Sequence, residues 1–107
     1  MPLPASMKDS LSLPLVAAPM FLISGPELAL ACCKQGIVGS FPALNQRTSE
    51  GFEDWLIQMN EELVAFRSTN PDVTTAPYAV NLIVHRTNHR WQADLELCVK
   101  HQVPIII

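Results

Sequence analysis

Ala18, Pro19 and Met20 close one apolar run, and Asn81 interrupts another; these residues carry the clearest chemical signal in the chain. Proline cannot donate to a strand ladder, so Pro14 and Pro19 bracket a strand at Leu15–Ala18 and Ala-Pro-Met marks its exit. An apolar run without alternation suits a parallel strand covered on both faces. In parallel sheets, ligands bind outside the carboxyl ends of the strands. Ala18, Pro19 and Met20 are therefore the first residues to place at a site, where main chain freed from the ladder offers amide and carbonyl groups. Asn81 stands in the middle of YAVNLIV, where a buried carboxamide needs a partner. An unsatisfied one costs about 1–3 kcal/mol. A neighbouring strand, a buried water or a bound cofactor would each meet that need. His85 follows at the carboxyl end of the same run. It either lines a substrate side or is simply solvated in an exit loop.

The elements that must position these residues alternate regularly. Residues 1–12 form an irregular polar lead-in. After the strand at Leu15–Ala18, Ser24-Gly25-Pro26-Glu27 reads as a helix start, with Ser24 capping and Glu27 three residues on. That helix stops at Gly36, a natural left-handed terminus. Ile37–Phe41 is the second strand, in which Gly39 permits close approach of another backbone or a ligand. Thr48 or Ser49 caps the next helix. Phe52, Leu56, Met59, Leu63 and Phe66 recur there at helical spacing and define its buried face. Tyr78–Val84 is the third strand. Asn88 is placed to cap a helix over about Arg90–His101, with Trp91, Leu95 and Cys98 on one face. His101 suits that helix's C-terminus electrostatically. Val103–Ile107 opens a fourth strand. The order is β-α-β-α-β-α-β, and crossover helices imply parallel pairing with right-handed units.

Composition excludes several classes. The chain has 107 residues, is 49% hydrophobic and carries a formal net charge of −3, which suits one small folded domain. The nearest basic cluster, His85-Arg86 with His89-Arg90, is short and lacks interleaved aromatics, so nucleic acid is not expected as a partner. The apolar stretch before Ser24 is shorter than the ~20 residues of a spanning helix and contains two prolines, so neither a membrane span nor a signal peptide is expected. Three cysteines without a regular framework, Cys32, Cys33 and Cys98, indicate reduced thiols in a cytoplasmic setting, acting as small buried hydrophobes. No metal site is expected.

The segments LVAAPMFLISGPELALACCKQGIVGSFPALN and YAVNLIVHRTNHRWQADLELCVKHQVPIII together resemble the start of the nitronate monooxygenase (2-nitropropane dioxygenase) family. The resemblance runs from about Leu13 to the end and rests on three features in order. These are the Ala-Pro-Met exit, the Gly-Ile-Val-Gly strand and the Asn-bearing third strand. It implies the first half of a TIM barrel, with FMN at the C-terminal face and alkyl nitronates oxidised by O2. It further implies that Ala18, Pro19 and Met20 run along the flavin and that Asn81 contacts FMN.

The chain also departs from that family. The Gly-Gly-His-type segment carrying the family's catalytic histidine does not occur here, nor do the glycine loops that bind phosphate. A full barrel takes roughly 250 residues and eight strands. The chain would thus supply about the first half, truncated in the fourth strand, and be inactive by itself, with His85 the lone histidine at a strand exit. Two alternatives remain at this level. One is a non-catalytic half-barrel that self-associates, or pairs with a complementary chain, through the unfinished edge at Ile105–Ile107. The other is a fragment of a related flavin barrel of the enoyl reductase or inosinate-dehydrogenase type.

Overall fold

The computed structural model describes residues 2–107. Its helices are α1 (Ala5–Lys8), α2 (Pro26–Lys34), α3 (Ser49–Thr69) and α4 (Trp91–Lys100). Its strands are β1 (Gly39–Pro42), β2 (Tyr78–Asn81) and β3 (Ile105–Ile106), in the order β1-β2-β3 in one open, wholly parallel sheet. Gly39 faces Tyr78 and Ala79 faces Ile105 in register. The expected mixed α/β alternation with parallel pairing is therefore present.

The first expected strand is not a full ladder partner. Residues 15–18 touch the sheet through a single parallel bridge, Val16 to Val38. The Ala17 N–H donates to the Val38 carbonyl at 2.8 Å and the Val38 N–H to that of Leu15 at 3.0 Å. The two flanking prolines limit how far such a ladder can run. The other strands are also shorter than expected, although Leu82 extends the ladder by donating to the Ile107 carbonyl at 3.0 Å. The lead-in holds one helical turn, α1, and is pinned where the Ser12 N–H meets the Gly36 carbonyl at 2.8 Å.

Strand alternation explains where the core lies. Phe41, Tyr78 and Val80 face the helices and join Ala29, Leu30 and Cys33 of α2, Phe52, Leu56, Met59 and Leu63 of α3, and Cys98 of α4 in one cluster. The stripe read from α3 is its buried face, with Phe66 at the half-buried end beneath the Lys34 ammonium. Gly39 permits the close approach its type suggests. A Cβ there would overlap the main chain of Ala29, so α2 lies directly against β1.

Helix ends show which local signals the chain uses. Thr48 caps α3 by accepting the Gly51 N–H at 3.0 Å. Gly36 takes φ +81° beyond α2, where Gly36 and Ile37 donate to the carbonyls of Cys33 and Cys32. Gln102 does the same after α4 at φ 54° without a glycine's freedom. Two expected caps are not used. The N-cap of α2 is Gly25, because the Ser24 hydroxyl turns back to the preceding loop. The N-cap of α4 is Arg90, and Asn88 instead accepts the Arg90 N–H while donating to the Ile83 carbonyl.

Three ionisable groups lie in this core, and burial raises all of their pKa values. Cys33 is raised, Cys98 rises from 9.0 to about 11 and Tyr78 rises above its usual 10. Asp94 nearby adds to the effect at Cys98. In each case the unfolded chain releases its proton at lower pH than the native one. The stability linked to the neutral forms is thus complete below pH 9 and is lost as pH rises through the folded values. Unfolding free energy, measured by urea titration from pH 8 upward, is expected to fall from about pH 9. Cys98→Ala is expected to shallow that slope.

Candidate functional site

The carboxyl ends of the parallel strands share one edge of the sheet, and four segments meet there. They are residues 18–24, the 3-10 turn Ala43–Asn45 after β1, residues 82–88 after β2, and Ile107. All the candidate site residues lie on this edge.

The turn at 20–24 is held from within and from outside. The Met20 N–H donates to Ser24 Oγ at 2.8 Å, and the Ile23 and Ser24 N–H groups donate back to the Met20 carbonyl at 3.2 and 3.0 Å. Asn45 clamps it from the neighbouring exit. Its Oδ1 accepts the Leu22 N–H at 2.8 Å, and its Nδ2 donates to the carbonyls of Met20 and Ser24 at 3.0 and 2.7 Å. Leu22 sits at φ 65°, a conformation uncommon for a residue with a side chain. The clamp thus holds a strained turn whose Phe21, Leu22 and Ile23 side chains stand exposed. Behind it, a groove of about 660 Å3 runs between the turn, the start of α2 and Trp55.

This arrangement distinguishes the three residues of the Ala-Pro-Met exit. Met20 has both main-chain groups committed to its own turn. Ala18 has neither its N–H nor its C=O paired among the described residues. The neighbouring Ala17 carbonyl is taken by the Ser40 hydroxyl. Pro19 lies between them, with no N–H to give.

Asn81 pairs in register with Pro42 at the end of β2 and is half-buried. Its Nδ2 donates to the Ile107 carbonyl at 3.3 Å, so a neighbouring strand does supply one partner. Its Oδ1 accepts no hydrogen bond among the described residues. His85 is exposed, and its Nδ1 lies 2.8 Å from Thr87 Oγ1 and accepts the Thr87 N–H at 3.3 Å. Arg86 and His89 are exposed as well, as a solvated loop requires.

Two features of this rim were not singled out by residue type. Asn45 lies in the turn that follows β1, and its signal is a polar residue at a strand exit beside a neighbouring turn. Arg90 and Asp94 look like ordinary helix charges, yet Asp94 is fully buried. Its carboxylate accepts the Ser49 hydroxyl at 2.9 Å and lies 3.1 Å from Arg90 Nη2. Arg90 also donates to the carbonyls of Gln46 and Ala43 at 2.6 and 3.5 Å, fixing the exit of β1 to α4. No cluster of three or more histidine, cysteine or acidic side chains suited to a metal ion occurs among the described residues. No described helix is long and apolar enough to cross a membrane.

Replacing Asn45 by alanine is expected to release the turn. Three hydrogen bonds at about 1 kcal/mol net each set an upper range of ~3 kcal/mol, reduced by hydration of the exposed groups. Amide exchange should accelerate most at Leu22, whose N–H loses its acceptor.

Comparison with known proteins finds no family model, no curated protein and no solved structure that matches this chain.

Proposed function

We propose that the chain is the N-terminal half of an FMN-dependent nitronate monooxygenase barrel, contributing the flavin-ring side of the site. The observation that carries this reading is the presence of two unspent polar groups at the carboxyl ends of the parallel segments. One is the unpaired peptide of Ala18, and the other is the Oδ1 of Asn81. These groups suit a flat heteroaromatic ring with donors and acceptors on its edge. The donor set therefore fits the ring portion of FMN, with Ala18 and Asn81 holding its polar edge and Pro19 and Met20 offering apolar contact. The flavin supplies the redox chemistry with O2 when bound, and the protein supplies binding and orientation.

The sequence holds no glycine-rich phosphate loop and no Gly-Gly-His-type segment, so binding by these residues depends on the ring alone. Neither His85 nor any other histidine here is assigned as a base. His85 points its Nδ1 into its own loop rather than toward a partner on the rim.

Titrating the purified chain with FMN while following flavin fluorescence tests this reading. Saturable quenching is expected, with riboflavin binding to the same extent as FMN because no phosphate contact is made. Asn81→Leu should weaken both by about fivefold, the equivalent of one hydrogen bond of ~1 kcal/mol. Oxygen uptake with an alkyl nitronate should stay at background. Absence of quenching, or quenching that Asn81→Leu leaves unchanged, overturns the proposal.

A further inference from the structure

Arg90 reaches three of the four segments at this rim, directly or through one further residue. Its Nη1 donates to the Gln46 carbonyl at 2.6 Å and its Nη2 to that of Ala43 at 3.5 Å, so the guanidinium grips both ends of the 3-10 turn Ala43–Asn45. Asn45, the last residue of that turn, holds Met20, Leu22 and Ser24 through its carboxamide. On the other side, the Arg90 main-chain N–H donates to Asn88 Oδ1 at 3.0 Å. Asn88 Nδ2 in turn donates to the carbonyl of Ile83, two residues beyond Asn81, at 2.7 Å.

The fork itself is held in place. Asp94, one turn along α4, is fully buried, with its Oδ2 3.1 Å from Arg90 Nη2 and its Oδ1 accepting the Ser49 hydroxyl at 2.9 Å. A guanidinium is a rigid planar donor set that can face a carboxylate and two carbonyls at once, whereas an ammonium is a point donor on a flexible stem. The buried carboxylate therefore sets where the fork points, and the fork sets where the turn at 43–45 stands. The far end of this chain of contacts needs such support. Leu22 sits at φ 65°, a conformation that costs free energy and persists only where its surroundings over-determine it.

We propose that Arg90 is a positioning residue for the rim. Anchored by Asp94, it fixes the exit at residues 18–24 relative to the exit that follows Asn81. This inference deepens the flavin reading and rests on it for the purpose of the rim, because groups on two separate segments grip one rigid ring only when their spacing is held. The coupling itself belongs to the protein alone and is measured without a ligand. It is established by non-additivity rather than by adjacency.

Amide exchange followed by NMR on the full chain tests it. In the double variant Arg90→Met with Asp94→Leu, an apolar pair of similar volume replaces the ion pair at little cost in stability, while both carbonyls lose their donor. The Leu22 amide should then exchange about fivefold faster, the equivalent of one hydrogen bond. The Val38 N–H in the sheet and the Asn88 N–H, which donates to the His85 carbonyl, should keep their native rates. General loosening of the fold would instead accelerate all three. Arg90→Lys keeps a cation beside Asp94 and serves as a second variant should the apolar pair disturb folding. It should accelerate Leu22 to the same extent, because an ammonium cannot span the two carbonyls. Adding the apolar pair to Asn45→Ala should bring no further acceleration, since the clamp through which Arg90 acts is already gone. In the flavin titration, Arg90→Lys should weaken FMN binding by about fivefold, again one hydrogen bond. An unchanged Leu22 rate in both Arg90 variants, equal acceleration of all three amides, full additivity with Asn45→Ala, or unchanged FMN affinity in Arg90→Lys overturns the proposal. Failure of the flavin reading shows differently, as absent quenching by the unsubstituted chain, and the exchange rates then decide the role of Arg90 by themselves.

Discussion

Asp94→Ala should lower the unfolding free energy by about 3–5 kcal/mol, the usual cost of stripping one partner from a buried ion pair. Asp94 is fully buried at the N-terminal part of α4, and Arg90 lies one turn earlier. The Arg90 side chain is about one-fifth exposed, so water screens the pair only in part. Its Nη2 lies 3.1 Å from Asp94 Oδ2 without the alignment of a hydrogen bond, so charge rather than direction joins them. Removing the carboxylate would leave that cation facing the carbonyls of Ala43 and Gln46 alone, with its Nε already unpaired. Ser49 would lose its acceptor in the first turn of α3. A domain of this size holds only about 5–15 kcal/mol, so urea titration should show a large drop in midpoint. The double variant Arg90→Met with Asp94→Leu should recover most of the loss, because an apolar pair of similar volume often replaces a buried ion pair at little cost. A loss below about 1 kcal/mol in the single variant would show that water already compensates the pair.

Phe41→Ala is expected to cost a similar 3–5 kcal/mol, for a different reason. Phe41 is fully buried at the centre of the helix-facing side of β1. Its ring meets Trp55 edge-on at 5.4 Å between centroids and 90°, Phe52 at 6.5 Å and 73°, and Tyr78 nearly parallel at 6.4 Å. The substitution therefore opens a cavity shared by α3, β1 and β2. These walls cannot readily collapse, because α2 already lies so close to β1 at Gly39 that there is no room even for a Cβ. Tyr78 would also lose one side of its packing, although its hydroxyl still donates to Asn60 Oδ1 at 2.9 Å. Phe41→Leu should recover more than half of the loss. Equal destabilisation by Leu and Ala would mean that ring geometry, rather than volume, stabilises the site.

The sequence was readable where one residue type answers one geometric demand. Gly39, Gly36 and Thr48 each do what their chemistry indicates, because close approach, a left-handed φ and a first-turn acceptor are local requirements. The apolar stripe of α3 was readable for the same reason, as helical periodicity depends only on spacing. Residues with several possible partners were harder. Ser24 offers a good cap, yet its oxygen serves the Met20 amide four residues back, and the intact turn outweighs the helix end. Asn45, Arg90 and Asp94 act on segments distant in sequence, and no pattern of neighbours reveals such pairings. The strand at 15–18 was read from hydrophobicity, which marks what must be covered rather than how many ladder bonds form. The rim residues Ala18 and Asn81 were legible as exceptions to their surroundings, an unladdered exit and an amide among aliphatics.

The parallel sheet fixes the order in which this chain can assemble. No two neighbouring strands are joined by a tight hairpin; the whole of α3 intervenes between β1 and β2, and α4 between β2 and β3. Each ladder must therefore wait for a long stretch of chain to close, which places the sheet late and makes refolding slow for a polypeptide so small. The 21-residue α3 is long enough to form transiently before any strand has found its neighbour. Its aromatic side then offers the collapsing chain a surface on which the strands condense.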